Sequence, residues 1–327
     1  MAESTSASFL KKIIIWLFLA ITLPIAYLPR RFCLALGGLG GRLFFILLRR
    51  RKDIAIDNIV QAIKNGALDP DLDPVATART SFANLGRTAI ESLCLLHRGL
   101  KYFRGRFTIS GGEELSQLLI ESQTSRRGIV FLTAHSGNWE LSAIAVPNQF
   151  GFKASVVGRT QGGFFSNEIL TKIRTQTGND FILKYGGAKT MLQLLRSGGI
   201  LGTLFDQADI VGNSGAKLDF MGKPALTTLG PLKLAAKTGA AVIPCFCRRE
   251  GDHHYFSIAP AITAPPDWGQ QWLLSTAQSL NDQLGDFIRR YPDQWMWGHR
   301  RWKIPQPPKH QTSSFKGESE LKNSYNS

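Results

Sequence analysis

Cysteine is scarce, and its placement excludes several chemistries. The chain has 4 cysteines in 327 residues: Cys33, Cys94, Cys245 and Cys247. None forms a C-x-x-C pair, and no His/Cys set has zinc-ligand spacing, so neither a zinc module nor a dithiol redox motif is expected. Cys245 and Cys247 share an apolar strand-like run, and four buried thiols in a reducing compartment fit better than a disulfide framework. Acidic residues are also few, 24 against 39 Lys+Arg, for a net charge of +15. Such a surface favours anionic partners, which are nucleic acid, anionic lipid or an acidic carrier protein. No nucleic-acid-binding motif is present. Nor is there an apolar run of comfortable membrane-spanning length. Residues 13–28, bounded by Lys11-Lys12 and Arg30-Arg31, are a little shorter than the ~20 that an untilted span needs. The glycines Gly37, Gly38, Gly40 and Gly41 do not follow a strand, so they are no dinucleotide fingerprint; close helix packing or an interfacial role is the expectation. No internal repeat is visible.

What is there begins with charge placement. Arg30, Arg31, Arg42, Arg49, Arg50, Arg51 and Lys52 follow the apolar run with no acid among them. Basic residues beside an apolar segment point to a membrane surface rather than nucleic acid. The run itself reads as a short anchor, a signal peptide or an interfacial helix. Its end, with Pro24, Tyr27, Pro29 and two arginines, fits a cleavage site poorly. We therefore expect a single N-terminal anchor over residues 1–31, then a membrane-associated helical segment over 32–104. By the positive-inside rule the body is expected on the cytoplasmic side of the membrane. Residues 53–100 read as helical. From 107 the pattern alternates. Strand-like runs fall at 106–110, 128–133, 154–158, 199–205, 240–247 and 254–259. Helix-like runs fall at 113–121, 139–146, 167–176, 189–196, 231–237 and 272–290. Short apolar strands alternating with amphipathic helices indicate an α/β layered domain, a mostly parallel sheet flanked by helices, over 105–304. The tail, 305–327, is polar and reads as disordered.

The candidate site starts with His135-Ser136-Gly137-Asn138-Trp139-Glu140, directly after the strand-like 128–133. A His near a carboxylate can act as a general base, with the acid fixing its tautomer and stabilising the imidazolium. On one helix His135 and Glu140 would lie about 140° apart, so they meet only if the chain turns, which Ser136-Gly137 permits. Arg159 and Asp206 likewise each follow a strand-like run. Ligands of open α/β sheets bind beyond the carboxyl ends of strands, so the three can converge. Each has a plainer alternative: a satisfied His at a sheet edge, a solvated Arg159, Asp206 capping a turn, Trp139 in the core and Asn138 capping a helix. The cluster Trp295, Trp297, His299, Arg300, Arg301 and Trp302 could stack on single-stranded nucleic acid or lie at a membrane interface. Beside an anchor, the interface is the preferred reading.

These motifs carry a resemblance. His-x-x-Asn-Trp-Glu after a hydrophobic strand resembles the signature of the lipid A biosynthesis (late) acyltransferases, within the lysophospholipid and glycerophosphate acyltransferase superfamily. The stretch 49–58, Arg159 after 154–158, Asp206-Gln207 after 199–205, and the closing motif 292–303 agree, so the likeness covers roughly residues 10–304. It implies an acyltransferase with a glycerophosphate-acyltransferase-like α/β fold. The implied donor is acyl-acyl carrier protein and the implied acceptor a lipid A precursor or related glycolipid, in contact with membrane lipids and without nucleic acid. His135 would be the base, oriented by Glu140, with Arg159 and Asp206 positioning the acceptor or stabilising charge. Asn138, Trp139, Gln207, Arg300 and Arg301 are the expected substrate contacts. No metal or organic cofactor is implied, since a thioester is already an activated donor. Another glycolipid or a lysophospholipid acceptor, an acyl-thioester hydrolase, and a non-catalytic membrane-bound binding protein are the alternatives.

Overall fold

The computed structural model describes residues 5–159, 163–207 and 215–302. The expected disordered tail, 305–327, and the final Lys303 of the closing motif lie outside the described residues. Four helices come first: α1 (Thr5–Ala26), α2 (Arg30–Leu47), α3 (Arg49–Lys64) and α4 (Pro74–Arg98). The start of α4 is set locally. The Asp73 carboxylate accepts from the Val75 and Ala76 amides, and Pro74 fills the first helical position, where no amide hydrogen is needed.

The α/β part follows as β1 (Phe107–Ser110), α5 (Gly112–Ser125), β2 (Ile129–Thr133), α6 (Trp139–Phe150), β3 (Ser155–Gly158), α7 (Phe164–Thr175), β4 (Asp180–Leu183), α8 (Ala188–Arg196) and β5 (Ile200–Leu204). A hairpin, β6 (Gly215–Phe220) and β7 (Lys223–Thr228), then leads to α9 (Gly230–Thr238), β8 (Ala241–Glu250), β9 (His253–Ile258) and α10 (Gln270–Arg290). Seven strands form one sheet in the order β1-β9-β8-β2-β5-β3-β4. All its pairings are parallel except β8–β9. The expected α/β class and mostly parallel sheet are therefore present. β2 lies between β5 and β8 with helices on both sides, which explains its unbroken apolar sequence. Its side chains alternate between two cores: Val130 and Leu132 join one buried cluster, Ile129 and Phe131 the other.

The N-terminal helices differ from the expected single anchor. No helix among the described residues is long and apolar enough to cross a membrane; α1 and α2 pass that test only together, bent by 119°. α1 also packs on the rest of the chain. Thr22 Oγ1 lies 2.9 Å from His97 Nε2, and the Phe18 and Phe165 rings meet edge-on at 4.9 Å. The outer face of the pair stays apolar and exposed, at Trp16, Ile21, Phe32, Leu39 and Phe44 among others.

The glycines of α2 serve close packing, as expected. A Cβ on Gly41 would come within 2.1 Å of the Phe82 carbonyl oxygen, and one on Gly86 within 2.1 Å of that of Gly37. Small residues here let two backbones touch. A matched pair of variants tests this. Gly86→Ala must push the helices apart and should cost about 1–3 kcal/mol. Gly40→Ala, with nothing within 4 Å of its Cβ position, should be neutral or stabilising through helix propensity. Thermal unfolding of the two proteins gives the comparison.

Candidate active site

The catalytic-looking residues gather at the carboxyl ends of β2, β5 and β3. His135 follows β2 and Asp206 follows β5, the strand hydrogen-bonded beside it. His135 Nδ1 lies 2.9 Å from Asp206 Oδ1. Oδ2 of the same carboxylate accepts from the His135 amide at 3.0 Å and from the Trp295 indole at 2.9 Å. Burial would raise the pKa of Asp206, but the facing His135 and these donors outweigh it and hold the carboxyl at about 2. An ionised Asp206 only accepts, so Nδ1 carries the ring proton and Nε2 presents its lone pair outward. The Gln207 amide nitrogen is 3.4 Å from Nε2, and its Oε1 receives Arg159 Nη2 at 3.4 Å. Arg159, after β3, thus joins the group through Gln207.

The loop carrying His135 is clamped from several sides. Gly137 adopts φ +53°, and a Cβ there would meet the Cys247 carbonyl oxygen at 2.5 Å. Its amide donates to Gln294 O at 2.9 Å, and its carbonyl accepts from Thr88 Oγ1 at 3.0 Å. His135 O accepts from the Met296 amide at 3.1 Å. Asn138 Oδ1 caps α6 by accepting from the Leu141 amide, and its Nδ2 donates to Glu91 Oε2.

Beside this group an apolar slot runs along the sheet. Its lining includes Phe131, Thr133, Trp139, Val146, Phe152, Val156 and Cys245. Phe131 and Phe152 stack inside it with centroids 5.8 Å apart. The Trp139 ring stands edge-on to the His135 ring at 5.1 Å, so the slot begins next to the imidazole.

The partner expected for His135 is replaced. Glu140 forms a two-pronged pair with Arg174, Oε2 to Nε at 2.9 Å and Oε1 to Nη2 at 2.5 Å, and also accepts from the Trp139 indole. Glu140 opens α6, so its side chain is carried away from His135 into the slot wall, where a cation from α7 meets it. Asp206 is the carboxylate that His135 Nδ1 meets instead. Two of the expected substrate contacts, Asn138 and Arg301, are held inside the fold. Asn138 is buried, with both ends of its side chain engaged. Arg301 is fully buried and donates to Leu226 O, Thr227 Oγ1 and Asn281 Oδ1. Arg300 stays half-buried in the same closing segment. Nor does that segment form an aromatic interface: Trp295 and Trp297 are core residues at 1% and 0% exposure. The four cysteines are free thiols, and Cys33, Cys94 and Cys247 are buried.

A family model described as bacterial lipid A biosynthesis acyltransferase matches residues 1–304. The chain belongs to that family. It is an acyltransferase. It is 25% identical to a phosphatidylinositol mannoside acyltransferase of Mycolicibacterium smegmatis over 75% of this chain and 77% of the relative. It is 23% identical to a lipid A biosynthesis lauroyltransferase of Escherichia coli over 89% of each. A lipid A biosynthesis acyltransferase of Haemophilus influenzae is 24% identical over 61% of this chain and 60% of the relative.

Within this acyltransferase the geometry separates the two acids. Glu140→Ala should leave the His135–Asp206 pair standing while freeing Arg174 beside the slot. Its loss should therefore multiply with that of a partial defect such as Gln207→Ala rather than merge with it, as independent sites do. Kinetics of the two single variants and the double variant decide the point. Strong non-additivity would put Glu140 back in the His135 unit.

Proposed function

We propose that the enzyme moves a fatty acyl group from an acyl-carrier-protein thioester to a hydroxyl of a glycolipid, a lipid A precursor or a relative of one. His135 Nε2 takes the proton of the acceptor hydroxyl. The freed oxygen attacks the thioester carbonyl, the C–S bond breaks, and the leaving sulfur takes the proton back from the imidazolium. Asp206 holds Nδ1–H and stabilises the ring while it is charged. Arg159 and Gln207 orient the acceptor and face the charge that develops at the carbonyl oxygen. The apolar slot receives the acyl chain. The observation that carries this reading is the oriented His135–Asp206 pair beside that slot, in a chain of this family. The basic surface suits an acidic carrier and a phosphorylated lipid. We further propose that the bent α1–α2 pair, with its exposed apolar face, docks the enzyme on the cytoplasmic side of the inner membrane.

The test offers purified enzyme in membranes an acyl-carrier thioester with either a lipid A precursor or a phosphatidylinositol mannoside, and identifies products by mass spectrometry. Acceptor-dependent O-acylated glycolipid is the expected product. Free fatty acid released at the same rate without acceptor would make the enzyme a thioesterase and overturn the proposal.

A further inference from the structure

Away from the acyl slot, a second cavity of about 540 Å³ opens between α2, α4 and the end of β8. Arg31, Arg87 and Arg249 come to it from three different elements, with Asp252 and Asp293 also in its wall. The two acids already have partners. Asp252 pairs with Arg106 and Arg30, and Asp293 accepts from Asn84 Nδ2 at 2.9 Å and Gln294 Nε2 at 3.1 Å. Among the cations, Arg87 donates Nη1 to Asn84 Oδ1 at 2.7 Å, and Arg249 is the poorly matched one. Arg249 is 6% exposed. Its Nη2 is spent on Glu91 at 2.6 Å, while its buried Nη1 and Nε have no hydrogen-bond partner among the described residues. Burial, then the charges of Arg249 and Arg42, push Arg87 below its ordinary pKa, with Asp293 and Glu91 opposing. Buried guanidinium donors without acceptors call for an oxyanion.

The setting indicates which anion. Arg31 lies at the start of α2, its guanidinium 4.8 Å over the Phe32 ring. Phe32, Leu36 and Leu39 on the same helix are 50%, 40% and 64% exposed. Apolar side chains emerging beside a cation-lined hollow match the boundary between acyl chains and headgroups. We propose that this cavity binds the phosphate of an anionic glycerolipid headgroup, with Arg31, Arg87 and Arg249 as donors. The site is separate from the acyl slot and independent of which acceptor the enzyme uses. It is one hydrogen bond from the catalytic loop, because Gln294 in its wall accepts from the Gly137 amide.

The experiment titrates the full-length protein in neutral detergent with dihexanoyl phosphatidic acid, followed by thermal shift. Parallel arms use dihexanoyl phosphatidylcholine and inorganic phosphate. Saturable binding of the acidic lipid is expected, weakened about tenfold by Arg87→Gln, the scale of one lost charge-assisted hydrogen bond. Arg31→Gln, at an exposed position, is the second variant and should weaken it in the same direction without threatening the fold. Arg50→Gln, which removes an equal charge from the exposed start of α3, should change binding less than twofold. Equal losses from Arg50→Gln and Arg87→Gln would reduce the effect to surface charge and overturn the site. Arg87-dependent binding of inorganic phosphate as tight as that of the acidic lipid would overturn the lipid assignment, as would equal binding of phosphatidylcholine.

Discussion

Asp206→Asn should cut acyl transfer by roughly 10²–10⁴-fold with the protein still folded. The amide can offer its own N–H to His135 Nδ1, which favours the tautomer with the proton on Nε2 and leaves no base facing the acceptor. It also removes the charge that balances the imidazolium. His135→Ala should be equally damaging, and the double variant should be little worse than either single one, because the pair acts as a unit. Steady-state rates on acyl-carrier thioester, with circular dichroism to verify folding, give the readout. Two large losses that multiply in the double variant would break the pairing. The sign of the pH effect follows from the carboxyl held near 2. Asp206 is ionised throughout the neutral range, so its contribution to stability is complete above its ordinary pKa and fades only as pH falls toward 2.

Much of this arrangement was legible in the sequence. Strand periodicity and strand ends put His135, Arg159 and Asp206 beyond the carboxyl ends of neighbouring strands in a parallel sheet, where they stand. Six strand-like runs correspond to β1, β2, β3, β5, β8 and β9 within a few residues. β4 gives no comparable signal because Asp-Phe-Ile-Leu is short and has an edge strand's weak pattern, nor does the β6–β7 hairpin, whose residues mix charge with small side chains. Which carboxylate meets His135 is not legible in the sequence. Five positions in sequence bring His135 and Glu140 near each other, but which one a helix carries away depends on where α6 begins. Arg174, 34 residues on, gives no local signal that it will take Glu140. The closing Trp/Arg motif misled for a related reason. Composition marks those side chains as amphipathic, and only the packing of Trp295 on Phe220, and of Arg301 between β7 and α10, shows that they face inward. Glu91 carries a clue of its own: it lies four residues before Leu95 on the apolar stripe of α4, and an acid there demands buried partners.

Glu91→Gln tests those partners and should be the most destabilising single change outside the slot. The carboxylate is 0% exposed and receives Arg30 at 2.8 Å, Arg249 at 2.6 Å, His254 at 3.1 Å and the Asn138 amide at 2.9 Å. One acid thus joins α2, β8, β9 and the catalytic loop to α4. Burial works to raise its pKa, but Arg249, His254 and Arg30 prevail and bring it down from 4.5 to about 2. Glutamine keeps the shape and can still accept from Asn138, so what the change removes is charge. Arg249 then loses its counter-ion and Arg30 keeps only Asp252 at 3.6 Å, a loss of about 3–5 kcal/mol by comparison with other broken buried pairs. At ~2.1 cal/mol/K of unfolding entropy per residue, a chain of 327 residues shifts by about 1.5 °C per kcal/mol, so the melting temperature should fall by roughly 4–7 °C. The pH signature is specific. Because the folded pKa is depressed, the stability from Glu91 is present above about 4.5 and is lost as pH falls from there toward 2. The wild-type protein should weaken across that window more steeply than Glu91→Gln, so their melting curves should converge in acid. A variant within about 1 kcal/mol of wild type at neutral pH, or a gap that does not narrow in acid, would mean that water or relaxation satisfies these cations and that the cluster is not what ties α2 to the sheet.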